Sequence, residues 1–184
     1  MQRDYSKEVG QGNFMRRKDM PELNRELRRV VEEIKPEFIY FIDDSFLARP
    51  KKEIFEFCDM YEDFKLPFWF NTRPENCLPD VMKRLCEVGC YRVSFGIECG
   101  NEGYRRKVLR RNVSNDQLVE AFNLLADTSV TFSLNLIIGF PGETRDLVME
   151  TVELVRRLRG YDTLTFSIFT PYHGTQLREV AVRN

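Results

Sequence analysis

The sequence predicts an α/β protein built on a parallel sheet, and two patterns in its 184 residues carry that prediction. Short apolar runs rich in β-branched and aromatic residues alternate with longer amphipathic segments, with a repeat of about 30 residues, the size of one βα unit. The strand-like runs are almost continuously apolar, as in parallel strands that are covered on both faces. We therefore expect strands that run in one direction and are joined by helices.

Each element is justified by its own composition. Five candidate strands share the apolar, β-rich pattern, and they cover residues 38–42, 67–70, 91–97, 130–138 and 163–169. The candidate helices share amphipathic spacing and cover residues 21–34, 50–64, 78–88, 114–126 and 144–158, with a short last one from Thr175. Pro79 marks one helix start, and Ser114 with Gln117 has the spacing of a capping box. Because no Pro- or Gly-rich linker divides residues 1–184, we predict one domain.

Composition excludes several classes of protein. The 28 Lys and Arg against 29 Asp and Glu leave no charge excess that would favour nucleic acid or an anionic membrane as partner. No apolar stretch approaches the roughly 18 residues that a bilayer crossing requires, and the N-terminus lacks a secretory signal pattern. An odd count of five cysteines without a disulfide framework predicts reduced thiols and a soluble, cytoplasmic protein. The single histidine, His173, excludes zinc sites that need several imidazoles.

Polar or glycine-bearing residues end every predicted strand, and parallel α/β folds bind ligands at the C-terminal ends of their strands. The strand-end residues are Asp43, Asp44, Asn71, Arg73, Glu98, Asn135, Gly139 and residues 170–175. Ordinary loop polarity explains any single position better than a site does, but coincidence at all five strands is harder to accept. A ring of these side chains suits a ligand that carries an amine, a carboxylate and hydroxyls.

Four segments resemble successive motifs of the radical S-adenosylmethionine (radical SAM) superfamily. They are residues 41–46 (FIDDSF), 93–100 (VSFGIECG), 136–144 (LIIGFPGET) and 169–175 (FTPYHGT). The resemblance runs from residue 16 to residue 181 and is closest to the subgroup whose members often carry an upstream cobalamin-binding domain. It implies a partial (β/α)6-type TIM-like barrel of parallel strands with outer helices, in which the first strand is missing.

The resemblance also implies roles at the methionine end of S-adenosylmethionine (SAM). Asp43 and Asp44 stand where the family binds the methionine amino group, largely through backbone carbonyls. Glu98 and Arg111 are similar in placement to a pair that engages the methionine end in related members.

Further positions of the resemblance lie along the rest of the cofactor. Asn71 and Arg73 occupy the next strand-end position that faces SAM. Asn135 stands where relatives use a polar residue for the ribose hydroxyls. Ile137 and the backbone at Phe169 would flank the adenine.

The implied activity is reductive cleavage of SAM by a [4Fe-4S] cluster, which drives radical chemistry or, in cobalamin-dependent relatives, methyl transfer to a substrate. The implied cofactors are SAM, the cluster and, in such relatives, cobalamin. An electron donor such as ferredoxin or flavodoxin would be the protein partner. No membrane partner is expected, and no aromatic residues interleave the basic run of residues 105–111 to favour RNA.

The sequence departs from the family at the cluster itself. Family members carry a Cys-x3-Cys-x2-Cys loop after the first strand, and this sequence has none. Cys86 and Cys90 have the first spacing, but the next cysteine is Cys99, so packing residues are the better reading and we predict no metal ligands. We expect an N-terminally truncated chain, inactive alone, in which residues 4–15 would be the connection that follows the absent loop.

Three other hypotheses stay open from the sequence. The chain could be a cluster-free module that binds SAM or regulates, an inactive fragment, or an unrelated (β/α) barrel enzyme. Most of the basic run is expected to form a solvated face, with Arg111 as the exception, and Cys58 is expected in the core.

Overall fold

The computed structural model describes residues 17–183, and helix and strand alternate along them. The helices are α1 Met20–Ile34, α2 Lys51–Tyr61, α3 Pro79–Glu87, α4 Glu102–Lys107, α5 Asn115–Ala126, α6 Arg145–Arg157 and α7 Gln176–Arg183. The strands are β1 Ile39–Phe41, β2 Phe68–Thr72, β3 Cys90–Glu98, β4 Thr131–Ile138 and β5 Tyr161–Ile168. A 3-10 turn, Pro74–Asn76, follows β2. The connection predicted at residues 4–15 lies outside the described residues.

The five strands form one sheet in the order β1-β2-β3-β4-β5, and every neighbouring pair is parallel. Parallel neighbours joined by helical crossovers have right-handed connections, so a sequential order places all crossover helices on the same face. This is the arrangement of a (β/α) barrel in which the sheet has not closed. The predicted α/β class and partial TIM-like barrel are confirmed.

Local signals in the sequence explain where the helices begin. The Oγ of Ser114 accepts a hydrogen bond from the backbone N–H of Gln117 at 3.1 Å, and the Gln117 side chain accepts one from the Ser114 N–H at 2.9 Å. This is the predicted capping box of α5. The Thr144 side chain caps α6 by accepting the backbone N–H of Leu147, without a return bond, and Pro79 occupies the first turn of α3, where no backbone donor is needed.

The core lies between the sheet and its helices. Alternate side chains of the three central strands point toward the helices and are almost fully buried; they are Phe68, Phe70, Val93, Phe95, Ile97, Phe132, Leu134 and Leu136. Helix residues such as Phe57, Leu85 and Phe122 pack against them. The removal of this apolar surface from water stabilises the sheet and holds the ends of its strands in place.

The opposite face of the sheet, here called the inner face, carries more polar side chains together with Tyr40 and Trp69. The Trp69 Nε1–H donates a hydrogen bond to the Ser94 Oγ at 3.1 Å, and the Ser94 and Ser133 hydroxyls are 2.8 Å apart. Tyr40 packs against Trp69 with ring centroids 4.5 Å apart. Side chains therefore bridge β1 to β4 across the inner face, and the polar ones satisfy one another.

The last strand is the least sheltered. Phe166 and Ile168 of β5 are 47% and 78% exposed, and α7 buries none of its residues. Among the described residues, no helix is both long enough and apolar enough to cross a bilayer.

Candidate functional site

The end of β3 is irregular at the position where a ligand site is expected. Glu98 has a backbone φ of 68°, in the left-handed region, and the register between β3 and β4 shifts between Gly96 and Glu98. Such a conformation is uncommon for a residue other than glycine, and bulges of this kind re-aim a side chain at the edge of a sheet. The bulge therefore directs the Glu98 side chain away from a regular strand position.

The Glu98 carboxylate lies over Gly96. A Cβ atom built at Gly96 would overlap the Glu98 Oε1, so the carboxylate fills the space that a side chain at position 96 would take. Gly96 is the register partner of Asn135 on β4, and neighbouring strands are about 4.8 Å apart. Glu98 and Asn135 consequently present a carboxylate and an amide to the same region of the inner face, as the sequence predicted for adjacent strand ends.

The electrostatic state of Glu98 follows from its half-buried position. Burial raises the pKa of the Glu98 carboxyl above its ordinary value, and the positive charges of Arg111 and Arg73 oppose that rise. No hydrogen bond contributes to the shift of this group. A half-buried carboxylate in this state gains from a ligand that brings an ammonium group.

Arg111 makes contacts that the sequence did not predict. Its Nε–H donates to the Glu75 Oε1 at 2.9 Å, its Nη2 donates to the Glu75 Oε2 at 2.6 Å, and its Nη1 donates to the Gly96 carbonyl oxygen. The guanidinium is thus engaged by Glu75, and its effect on Glu98 is through charge. Burial raises the pKa of Glu75, but the hydrogen bonds and charge of Arg111 outweigh it and the pKa lies below its ordinary value.

Asp43 and Asp44 differ in their surroundings. The Asp43 Oδ2 accepts a hydrogen bond from the Arg49 Nη2 at 2.7 Å, and its Oδ1 accepts one from the Ser45 N–H at 3.4 Å. The Asp44 side chain is exposed. The Asp43 carboxylate therefore stabilises the loop after β1. Its partner Arg49 was not predicted from the sequence.

Asn71 and Arg73 lie at the end of β2. The Asn71 Nδ2 donates to the Tyr40 hydroxyl at 2.6 Å, and the Asn71 backbone carbonyl accepts a hydrogen bond from the Phe46 backbone N–H at 2.9 Å. Arg73 is exposed, and its charge helps to lower the pKa of the nearby Glu75 carboxyl and opposes the rise in the pKa of Glu98. Asn71 thus holds two strand ends together, whereas Arg73 presents its charge beside Glu98.

The glycine-rich segment after β4 forms a compact turn. The Glu143 Oε2 accepts hydrogen bonds from the N–H groups of Gly139 at 2.5 Å and Phe140 at 3.3 Å. Phe169, just after β5, donates its N–H to the Ile138 carbonyl at 2.8 Å, and its ring centroid lies 5.3 Å from that of Phe140. This turn fixes the apolar edge of the candidate site, next to the half-buried Ile137.

One residue of the basic run is placed otherwise than expected. Arg106, Lys107 and Arg110 are exposed, in agreement with a solvated face, but that expectation is wrong for Arg105, which is fully buried. Its guanidinium donates to the Cys99 carbonyl at 2.7 Å and the Val113 carbonyl at 2.6 Å. Arg105 satisfies loop carbonyls that would otherwise be buried without a donor, and it thereby supports the end of β3.

The described cysteines do not fit a [4Fe-4S] cluster. Cys58, Cys90 and Cys99 are buried free thiols, with Cys58 in the core as predicted. Within residues 17–183, no three His, Cys, Asp or Glu side chains converge where they could hold a metal ion. The strand-end residues do fit SAM, because the cradle of Glu98 over Gly96 offers a carboxylate for an ammonium group and Asn135 offers an amide for hydroxyls.

Comparison with known proteins gives the family. Residues 4–155 match the Radical SAM superfamily. An uncharacterized methyltransferase of Pyrococcus horikoshii is 30% identical over 147 residues, which are 79% of this chain and 32% of that protein. A tRNA-2-methylthio-N(6)-dimethylallyladenosine synthase of Clostridium beijerinckii is 27% identical over 101 residues, 53% of this chain and 22% of that protein.

Solved structures give the same fold. The radical S-adenosylmethionine methyltransferase TsrM from Kitasatospora setae, solved with cobalamin and a [4Fe-4S] cluster bound, has a TM-score of 0.69 at 16% identity, covering 85% of this chain and 32% of TsrM. The chain spans a third or less of the length of the two relatives above. The family match covers most of the sequence, and the chain therefore belongs to the radical SAM superfamily.

Proposed function

We propose that this chain binds SAM at the C-terminal edge of its sheet and forms the SAM-holding part of a radical SAM methyltransferase. The observation that carries the proposal is the half-buried Glu98 carboxylate, which lies over Gly96 on the inner face at the bulge. Membership of the superfamily supports SAM as the ligand, and the similarity to a methyltransferase from Pyrococcus horikoshii favours methyl transfer over other radical chemistry.

The proposal gives each end of SAM its own partners. Glu98 would accept hydrogen bonds from the ammonium group, and the exposed Arg73 beside it would pair with the carboxylate. Backbone carbonyls of the loop at Asp43 and Asp44 would add acceptors for the ammonium group, while Asn71 holds that loop in place. Arg111 takes part through its charge on Glu98.

The nucleoside end of SAM would lie across β4 and the end of β5. Asn135 would hydrogen-bond the ribose hydroxyls, and Ile137 with the backbone at Phe169 would border the adenine. Bound SAM supplies an activated methyl group and, on one-electron reduction, the radical chemistry of the superfamily. Cobalamin and a ferredoxin- or flavodoxin-like electron donor belong to the same proposal for the complete enzyme, and no step is assigned to the described thiols.

Calorimetric titration of the chain with SAM tests the proposal. Glu98→Gln and Asn135→Ala should each weaken SAM binding about tenfold, the effect of losing one good polar contact to the ligand. Glu120→Gln is the matched control, because Glu120 is an exposed carboxylate on α5 and should leave affinity unchanged. A parent chain that takes up no SAM, or variants that bind as the parent does, would contradict the proposal.

A second candidate is a module that binds SAM without forming a cluster. It is favoured by the thiols of residues 17–183, which lie on separate elements and do not converge. Anaerobic incubation with iron and sulfide, followed by addition of SAM and a one-electron reductant such as dithionite, tests this candidate. The module predicts SAM binding without either signal, so a cluster absorption band together with release of 5'-deoxyadenosine would contradict it.

A further inference from the structure

The bulge at the end of β3 has unfavourable features that something in the fold must offset. Glu98 adopts a left-handed backbone, and its carboxylate is half-buried with no hydrogen bond contributing to its charge state. Conformations of this kind are strained and persist only where the surroundings hold them. The support therefore has to come from residues that contact the bulge from outside the strand.

The support lies at the Gly96 carbonyl oxygen. This oxygen stands where the β3–β4 register shifts, and it accepts a hydrogen bond from the Arg111 Nη1. Arg111 is only 8% exposed, and its Nε and Nη2 also donate, both of them to the Glu75 carboxylate. A bidentate pair of this geometry fixes a guanidinium in orientation as well as in position.

Glu75 belongs to the 3-10 turn that follows β2, so the pair ties two neighbouring strand ends together. The turn after β2, the bulge of β3 and the segment that precedes α5 all meet at one guanidinium. The three bonded donors of Arg111 all go to protein acceptors, and none of them is the side chain of Glu98 or Asn135.

We infer that Glu75 and Arg111 are positioning residues whose ion pair holds the Gly96–Glu98 bulge and thereby aims the Glu98 carboxylate at the amino group of SAM. The inference rests on the proposed function for its ligand. Arg111 then acts on SAM through Glu98 and not by direct contact, which revises the direct role that the family resemblance implied for it.

The test compares SAM with 5'-methylthioadenosine, which keeps the adenosine and the sulfur but lacks the aminocarboxypropyl chain. Glu75→Gln and Arg111→Lys should each weaken SAM binding about tenfold and leave the affinity for 5'-methylthioadenosine unchanged, because only the amino-acid end depends on Glu98. The two substitutions combined should cost little more than either alone, since they break the same pair.

Asp162→Asn is the matched control. Asp162 forms a bidentate pair with Arg92, at 2.6 and 2.9 Å, at the opposite end of the same strand β3. This variant should leave the affinities for SAM and 5'-methylthioadenosine as they are in the parent. Variants of Glu75 that weaken both ligands equally, or neither, would overturn the inference and point to a purely structural pair.

Amide hydrogen exchange without ligand keeps this test separate from the proposed function. The Cys99 N–H closes the bulge on the Ile97 carbonyl at 2.9 Å, so Glu75→Gln should speed its exchange about tenfold. Unchanged exchange at Cys99 would refute the inference that the Glu75–Arg111 pair holds the bulge, whatever the ligand results are. Failure of the parent chain to bind SAM would refute the proposed function. The exchange result would still show whether the Glu75–Arg111 pair holds the bulge.

Discussion

Glu98 and Glu75 show how two carboxyl groups near one guanidinium acquire opposite charge behaviour. Burial raises the pKa of Glu98, whereas the Arg111 bonds bring the pKa of Glu75 below its ordinary value despite burial. An acid with a raised pKa in the folded state lowers stability as pH rises above the ordinary carboxyl range. An acid with a lowered pKa adds stability that is lost as pH falls through that lowered value.

Substitutions of the two groups should therefore change the free energy of unfolding in opposite directions. Glu98→Gln should raise the free energy of unfolding at about pH 7, and Glu75→Gln should lower it, with both differences shrinking toward about pH 4. Urea denaturation at the two pH values measures both effects. Changes of the same sign, or changes independent of pH, would contradict the assigned charge states.

A substitution at Gly96 tests whether the position of the Glu98 carboxylate matters, without changing Glu98 itself. An added Cβ at Gly96 would meet only the far end of the Glu98 side chain, which can swing away. Gly96→Ala should therefore change thermal stability by less than about 1 kcal/mol while weakening SAM binding about tenfold. Thermal unfolding curves and SAM titrations on the same preparation measure the two effects. Unchanged affinity would show that SAM binding does not depend on the present position of the Glu98 carboxylate.

At the scale of elements, α6 and the loop after β3 approach each other at Gly100. Its N–H donates to the Thr151 Oγ1 at 2.8 Å, and a Cβ here would overlap backbone atoms of Glu150 and Thr151. Backbone has no low-energy way to yield, so Gly100→Ala should destabilise the fold by about 1–3 kcal/mol.

Gly103 is the control for that prediction. It lies in α4 with room for a methyl group, so Gly103→Ala should be neutral or stabilising by up to about 1 kcal/mol. Thermal denaturation of the two variants distinguishes close packing from a general effect of replacing glycine. Equal melting temperatures would show that α6 does not constrain the end of β3.

Elements with local signals were predictable from the sequence. The capping box at Ser114 and the periodicity of the strands lie within a few residues of the features that they specify, and the structure places them close to the predicted bounds. The charge run that contains Arg105 gave no such signal. The burial of Arg105 depends on the backbone carbonyl oxygens of Cys99 and Val113, which the fold brings together around α4.

At the scale of the whole molecule, the parallel order of five strands explains why the predicted strand ends lie along one edge of the sheet. The sequence predicted Glu98 and Asn135 as neighbours because consecutive parallel strands end at the same edge. It did not predict the bond between Glu75 and Arg111, whose 36-residue separation has no repeating pattern. The bulge at Glu98 is likewise a property of the β3–β4 register and not of β3 alone.

A crystal structure of the chain with SAM would show whether the ligand binds with its amino group at the Glu98 carboxylate. We expect the SAM amino nitrogen within hydrogen-bonding distance, about 2.7–3.2 Å, of the Glu98 carboxylate, with the ribose beside Asn135. A complex in which the amino group lies away from Glu98, or in which SAM binds elsewhere on the sheet, would contradict this expectation.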